Sequence, residues 1–172
     1  METAFIAYLR DRLPPHPCLR LGPGDDAAVL SLGQATDAVV TVDMLMDGVD
    51  FRLAEVDPRR VGHKALAVNL SDLTAMAAEP VAAVVAVALP RHGGMALAKS
   101  LYEGILPLAA QFEVAIAGGD TNSWDGPLVI AITAIGRIPS NRPTTPGVWQ
   151  RSGARPGDVL LITGELGGSI LG

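Results

Sequence analysis

Four separate regions of this chain place aspartate at the end of an apolar segment. GPGDDAAV (22–29) sets Asp25 and Asp26 in a glycine turn before an apolar run. TVD ends on Asp43, NLSD carries Asp72, and VAIAGGD ends on Asp120. Asn69 stands three residues before Asp72, on the same face of a helix. Adjacent carboxylates repel, so a turn holding two of them is either an ordinary Asp turn or one side of a cation site. Each aspartate alone reads as a cap or turn residue. Four together point to hard oxygen ligation, of the kind Mg²⁺ takes when carboxylates share it with substrate phosphates. Metal ions of this sort neutralise charge on a transferring phosphoryl group and hold it in line. Gly118 and Gly119 leave room for backbone to approach a phosphate.

The other reactive side chains point to no second chemistry. Ser71 lacks a His/Asp arrangement to activate it, and His16 and His92 sit beside Pro or Gly in loops. His63 and Lys64 read as a solvated helix face. Transfer to an existing phosphate needs no general base, because the acceptor oxygen is already ionised near neutral pH. Positioning and charge neutralisation then carry the reaction. No G-x-x-x-x-G-K-[ST] loop is present, so any phosphate chemistry is not of the P-loop kind.

Composition narrows the setting. The 172 residues suffice for one domain with a sizeable core. Hydrophobic residues make up 49% but aromatic ones only 4%, so Ala, Val, Leu and Ile must build that core. Twelve Asp outnumber six Glu, and the formal charge of −5 argues against nucleic-acid or anionic-membrane partners. Cys18 is the only cysteine, which excludes an internal disulfide and fits a reducing, cytoplasmic setting. VAAVVAVAL (81–89) is too short to span a bilayer.

The elements that must position these residues follow from periodicity and punctuation. Residues 3–12 predict a short helix, broken by PPHP. AAVL and AVVTVDML predict two strands. Asp57-Pro58 is an N-cap with proline at the first helical position, opening a helix that Pro80 ends. VAAVVAVAL and VAIAG predict buried strands on either side of a helix that Pro107 should kink or split. PLVIAITAIGRI predicts a longer strand. The order β-β-α-β-α-β-β implies an α/β (α+β) domain, a mixed β-sheet with helices on one face. We expect this domain over 1–138, a linker over 139–156, and the first strand of a second, truncated domain over 157–172.

The motifs GDDAAV, TVDMLMDGVDF, KALAVNLSDLTAM, AGGDT and RSGARPGD, in that order, resemble thiamine-monophosphate kinase. That enzyme family shares a superfamily with aminoimidazole ribonucleotide synthetase and selenophosphate synthetase. The resemblance implies an aminoimidazole ribonucleotide synthetase-like fold whose N-terminal domains pair as a homodimer through their sheets. It implies ATP- and Mg²⁺-dependent phosphorylation of thiamine monophosphate to thiamine diphosphate. By resemblance Asp26, Thr41, Asp43, Asp72 and Asp120 are magnesium ligands, with Asp25 either shaping the turn or standing behind the ligands. Gly119, Asp120, Arg151 and Tyr102 meet the nucleotide, and Asp50 stands at the substrate position. Two residues depart from the family pattern: Val42 replaces a hydroxyl-bearing residue, and Asp50 replaces histidine. They motivate one alternative, another ATP-dependent synthetase or phosphotransferase of the superfamily; the expected truncation of the second domain motivates a second, a non-catalytic dimerising nucleotide-binding module.

Overall fold

A computed structural model describes residues 7, 13–22, 25–32, 37–139, 147–162 and 164. Strands β1 (Leu19–Leu21), β2 (Ala28–Ser31) and β3 (Asp37–Met46) lead into helix α1 (Pro58–Ala75) and strand β4 (Glu79–Pro90). Helix α2 (Gly94–Gln111) and strands β5 (Ala115–Trp124) and β6 (Val129–Arg137) follow. The expected element order is present, with the short β1 as an addition. The helix expected over 3–12 lies almost wholly outside the described residues.

The six strands form one sheet in the order β1-β2-β3-β6-β4-β5. All neighbours are antiparallel except β4 and β5. Alternate residues of the central strands point at the helices: Val39 and Leu45 on β3, Ala83, Val85, Val87 and Leu89 on β4, Ile130, Ile132 and Ala134 on β6. They meet Leu66, Leu70 and Leu73 of α1 and Leu101, Ile105 and Leu108 of α2. The opposite face has no helix among the described residues, and Val42, Met44, Val84 and Ile135 lie exposed on it. This corrects the expectation of buried strands at VAAVVAVAL and VAIAG. Helices cover only one face of β4, and β5 is an edge strand whose residues are almost all exposed.

Helix α1 starts as its sequence requires, with Asp57 Oδ1 accepting from Arg59 N at 2.9 Å and Pro58 in the first turn. It ends at Ala75, well before Pro80. Ala77 adopts φ 57°, Ala77 N donates to Thr74 O and Ala78 N to Leu73 O, both at 2.9 Å. This is a Schellman closure, and it releases Glu79 and Pro80 to open β4. Helix α2 closes in the same way at Glu113, φ 55°, with Val114 N donating to Ala109 O at 2.8 Å. Pro107 does not split α2. The carbonyl it leaves without a helical donor belongs to Glu103, and both residues are exposed where water can serve instead. The two helices touch backbone to backbone: a Cβ on Gly62 would lie 2.0 Å from Leu101 O, and one on Gly104 1.9 Å from Arg59 O.

Beyond β6 the chain returns to the sheet's helix side. Trp149 N donates to Met76 O at 3.1 Å, and Val148 packs on the Met76 and Val39 cluster. The strand expected after Pro156 is absent over 158–162. A strand needs a hydrogen-bonded neighbour, and Val159, Leu160, Leu161 and Ile162 are exposed with no neighbouring strand among the described residues.

Candidate functional site

The alternation of β3 turns Thr41 and Asp43 toward α1, where Asp72 lies. Thr41 is buried, and its Oγ1 donates to Asp72 Oδ2 at 2.8 Å. The Asp26 carbonyl lies 3.3 Å from the same hydroxyl. One hydroxyl carries one proton, so the shorter bond dominates and the carbonyl is a weaker shared acceptor. Asp43 follows on the same face. Desolvation first, then the Asp72 charge and a hydrogen bond with Asp72, push the Asp43 carboxyl above the usual aspartate range. Asp43 Oδ2 is buried with no hydrogen-bond partner.

Asp25 and Asp26 approach from the β2 side, and the two have different partners. Asp25 Oδ1 accepts from Asp26 N at 3.1 Å, and the Asp25 carboxylate faces Arg151 N at 3.2 and 3.4 Å. Asp25 therefore shapes the turn and holds the backbone of residue 151. Asp26 meets the side chain instead: Arg151 Nη2 donates to Oδ1, and Nε lies 3.4 Å from Oδ2. That bond, and then the Asp26 charge, push the Arg151 pKa further above its usual value, so the guanidinium stays charged.

Asp26, Thr41, Asp43, Asp72 and Arg151 thus come together on the helix-bearing side. Gly119 and Asp120 do not join them within one chain. Asp43 pairs with Ile132, Ile132 with Val85, and Val85 with Gly119. Three strand spacings, about 14 Å, therefore separate Asp43 from Gly119 along one line across the sheet. Asp120 pairs with Ala86, whose exposure puts both on the open face. Gly119 packs so close to β4 that a Cβ would lie 1.8 Å from Val85 O. Tyr102 is half-buried on α2 and packs against the hydrophobic core. Asp50 closes the turn after β3, Oδ2 accepting from Met46 N at 2.7 Å, and its carbonyl accepts from Lys64 Nζ at 2.8 Å. It also lines a cleft of about 600 Å³ with Phe51, Val56, Arg60, His63 and Pro107. That cleft contains none of the clustered aspartates.

Two contributors were not foreseen as such. Asn69, on the Asp72 face, is fully buried; its Nδ2 donates to Ala65 O and its Oδ1 has no partner. The clamp of Asp25 on the Arg151 backbone joins residues with no local sequence signal between them.

The donor set around Asp43 is oxygen only, which suits a hard divalent cation. The orphaned Oδ2 of Asp43 and the mutual repulsion of Asp43 and Asp72 are both relieved by a cation. Among the described residues no three acidic, imidazole or thiol side chains form a ready-made shell; Asp26 is engaged by Arg151.

Residues 24–138 match the family model described as AIR synthase related protein, N-terminal domain. The chain is 45% identical over 179 residues to a thiamine-monophosphate kinase of Rhodopirellula baltica, covering 100% of this chain and 54% of that protein. It is 36% identical over 171 residues to the Bacillus subtilis thiamine-monophosphate kinase, covering 99% of this chain and 51% of the relative. The chain therefore spans about half the length of these curated relatives. Its fold matches the solved structure of AaThiL complexed with AMPPCP and TMP, with a TM-score of 0.71 and 24% identity over 90% of this chain and 44% of the other. The matched segment runs from the GDD turn to the end of β6, and the chain belongs to the AIR synthase related family through that family's N-terminal domain.

Proposed function

We propose that this chain is the N-terminal half of a thiamine-monophosphate kinase, which uses ATP and Mg²⁺ to phosphorylate thiamine monophosphate to thiamine diphosphate. Thr41 Oγ1 lying against both the Asp72 carboxylate and the Asp26 carbonyl, with Asp72 close to Asp43 and Asp43 Oδ2 buried without a partner, supports this reading. So does the identity of 36–45% to kinases of that name along nearly the whole chain.

In this reading Asp26, Thr41, Asp43 and Asp72 hold Mg²⁺, which supplies charge neutralisation for the phosphates. Thr41 fixes the Asp72 carboxylate against β3, so that the oxygens are oriented before any ligand arrives. Arg151 and the Gly119-Asp120 backbone serve the nucleotide, and Tyr102 acts through packing. Residues 139–156 link to a second domain that begins near 157 and supplies the remainder of the substrate pocket. The enzyme is a homodimer joined through the open sheet face. Asp120 lies on that face, three strands from Asp43 and on the other side of the sheet from the Thr41 and Asp72 pair, so its expected ligand role is not served by that cluster within one chain. A cytoplasmic location follows from the ATP requirement.

The full-length protein with ATP, Mg²⁺ and thiamine monophosphate should release ADP and thiamine diphosphate in equal amounts. ADP release that requires a different acceptor, with no thiamine diphosphate formed, would reject the thiamine assignment. It would favour the second reading, another phosphotransferase of the superfamily. Asp50 motivates that alternative, since it engages its carboxylate with the Met46 backbone at the position expected to meet substrate.

A further inference from the structure

Arg151 is the counter-ion of the carboxylate cluster, and we propose that it is a displaceable one. A divalent cation must take Asp26 from the guanidinium, and the released guanidinium then becomes available to the phosphates of a nucleotide. This rests on the magnesium-nucleotide reading above and adds a coupling between the two ligands.

Three observations carry it. First, Arg151 faces both oxygens of Asp26, through Nη2 and Nε. A carboxylate so engaged has part of its charge neutralised and fewer lone pairs free, so it is a poorer metal ligand while the guanidinium stays. Second, the backbone of this segment is fixed independently of the side chain. Asp25 accepts from Arg151 N, Trp149 N donates to Met76 O, and Val148 packs on the core beneath β3. The guanidinium can therefore leave by rotation about side-chain bonds while its Cα stays beside the cluster. Third, the Arg151 side chain is 63% exposed and the Asp26 side chain 27%. Solvent therefore reaches the head group and can replace it.

The adjacent aspartates thus divide the work. Asp25 tethers the arginine, and Asp26 is the position for which arginine and metal compete. Competition weakens metal binding to the free protein. Nucleotide phosphate offers the displaced guanidinium a new partner and removes that penalty, so metal and nucleotide each raise the other's affinity, reciprocally.

The test is a titration of Mn²⁺ into the nucleotide-free, full-length protein, followed by electron paramagnetic resonance of the free ion. Wild type is compared with Arg151→Gln, and both are repeated with a non-hydrolysable ATP analogue. Arg151→Gln should bind Mn²⁺ about two- to fivefold tighter than wild type without nucleotide, the factor expected for losing a partly exposed competing ion pair. The analogue should tighten Mn²⁺ binding to wild type by a larger factor than to the variant. Equal or weaker Mn²⁺ binding by the nucleotide-free variant, with binding itself intact, overturns the competition alone. Absence of Mn²⁺ binding to both proteins, with and without nucleotide, overturns the competition and the kinase reading together. Arg151→Lys, which keeps the charge but loses the fork, should fall between the two.

Discussion

Thr41 on β3 and Asp72 on α1, 31 residues apart, are joined by a hydrogen bond of 2.8 Å from the threonine hydroxyl to Oδ2. The bond anchors a helix carboxylate to the sheet at the point where Asp43 also turns inward. Thr41→Val keeps the β-branched shape and removes the donor, leaving Asp72 to face Asp43 without a proton between them and the strand. We expect a loss of about 1–2 kcal/mol in urea unfolding at pH 7. Thr41→Ser should recover most of it. Equal stability of all three proteins would mean the bond contributes nothing.

Asp43 carries a raised pKa, chiefly from desolvation and then from Asp72. A carboxyl whose folded pKa exceeds its unfolded one adds stability below the unfolded value, and that stability is lost as pH rises through the folded value. Without divalent ions, Asp43→Asn should therefore be more stable than wild type at pH 7. The difference should vanish as pH falls through the ordinary aspartate range. With Mg²⁺ present the order should reverse, because the variant loses the cation's contribution. Thermal melts across pH, with chelator and with Mg²⁺, would check both signs.

The sequence made the half of this arrangement carried by local rules readable. Asp57-Pro58 marks the start of α1, period-two runs mark the strands, and carboxylates recurring beside apolar segments mark Asp26, Asp43 and Asp72 as candidates. Helix ends were less readable. Ala77 and Glu113 terminate helices in a left-handed conformation that glycine usually signals, and neither residue type announces it. Strand order was not encoded locally at all. The insertion of β6 and β4 between β3 and β5 is what separates Asp120 from Asp43, and it follows from tertiary pairing. Arg151 meets Asp26 across 125 positions, through a return path that passes beside Met76.

The crossing of α1 on α2 rests on Gly62 and Gly104. Alanine at either position would gain about 1 kcal/mol of helix propensity. Against that, its Cβ would sit about 2 Å from a carbonyl oxygen of the other helix, and backbone cannot yield as a flexible side chain does. The clash should win. Gly62→Ala and Gly104→Ala should each lose about 3 kcal/mol in denaturant unfolding, and a gain in either would mean the helices can separate freely.

The two helix ends allow a finer comparison. Glu113 and Ala77 both hold φ near +55°, where glycine is favoured by about 1 kcal/mol. Glu113 is exposed, so Glu113→Gly should stabilise by about 0.5–1 kcal/mol. Ala77 is only 9% exposed, and removing its methyl costs about 0.8 kcal/mol of burial, so Ala77→Gly should be close to neutral. Paired thermal melts would reveal the contrast; a larger gain from Ala77→Gly would refute the burial argument.

Val42, Met44, Val84 and Ile135 lie exposed on the sheet face without helices, at 63, 58, 37 and 37%. Four apolar side chains on three adjacent strands form a patch of the kind that soluble chains cover with a partner. The proposed homodimer covers it with a second copy. Met44→Glu places a carboxylate in that contact from both sides, where burial without a partner costs several kcal/mol. Met44 makes no contribution to the helix-side core, so the monomer fold should survive, with an unchanged circular dichroism spectrum. Light scattering of the full-length protein should then show a wild-type dimer and a Met44→Glu monomer. Lys99→Glu, an exposed change on α2, should remain dimeric and exclude a general effect of charge. A wild type that is monomeric at tens of micromolar, or a Met44→Glu variant that pairs as well as wild type, would remove the sheet face as the interface.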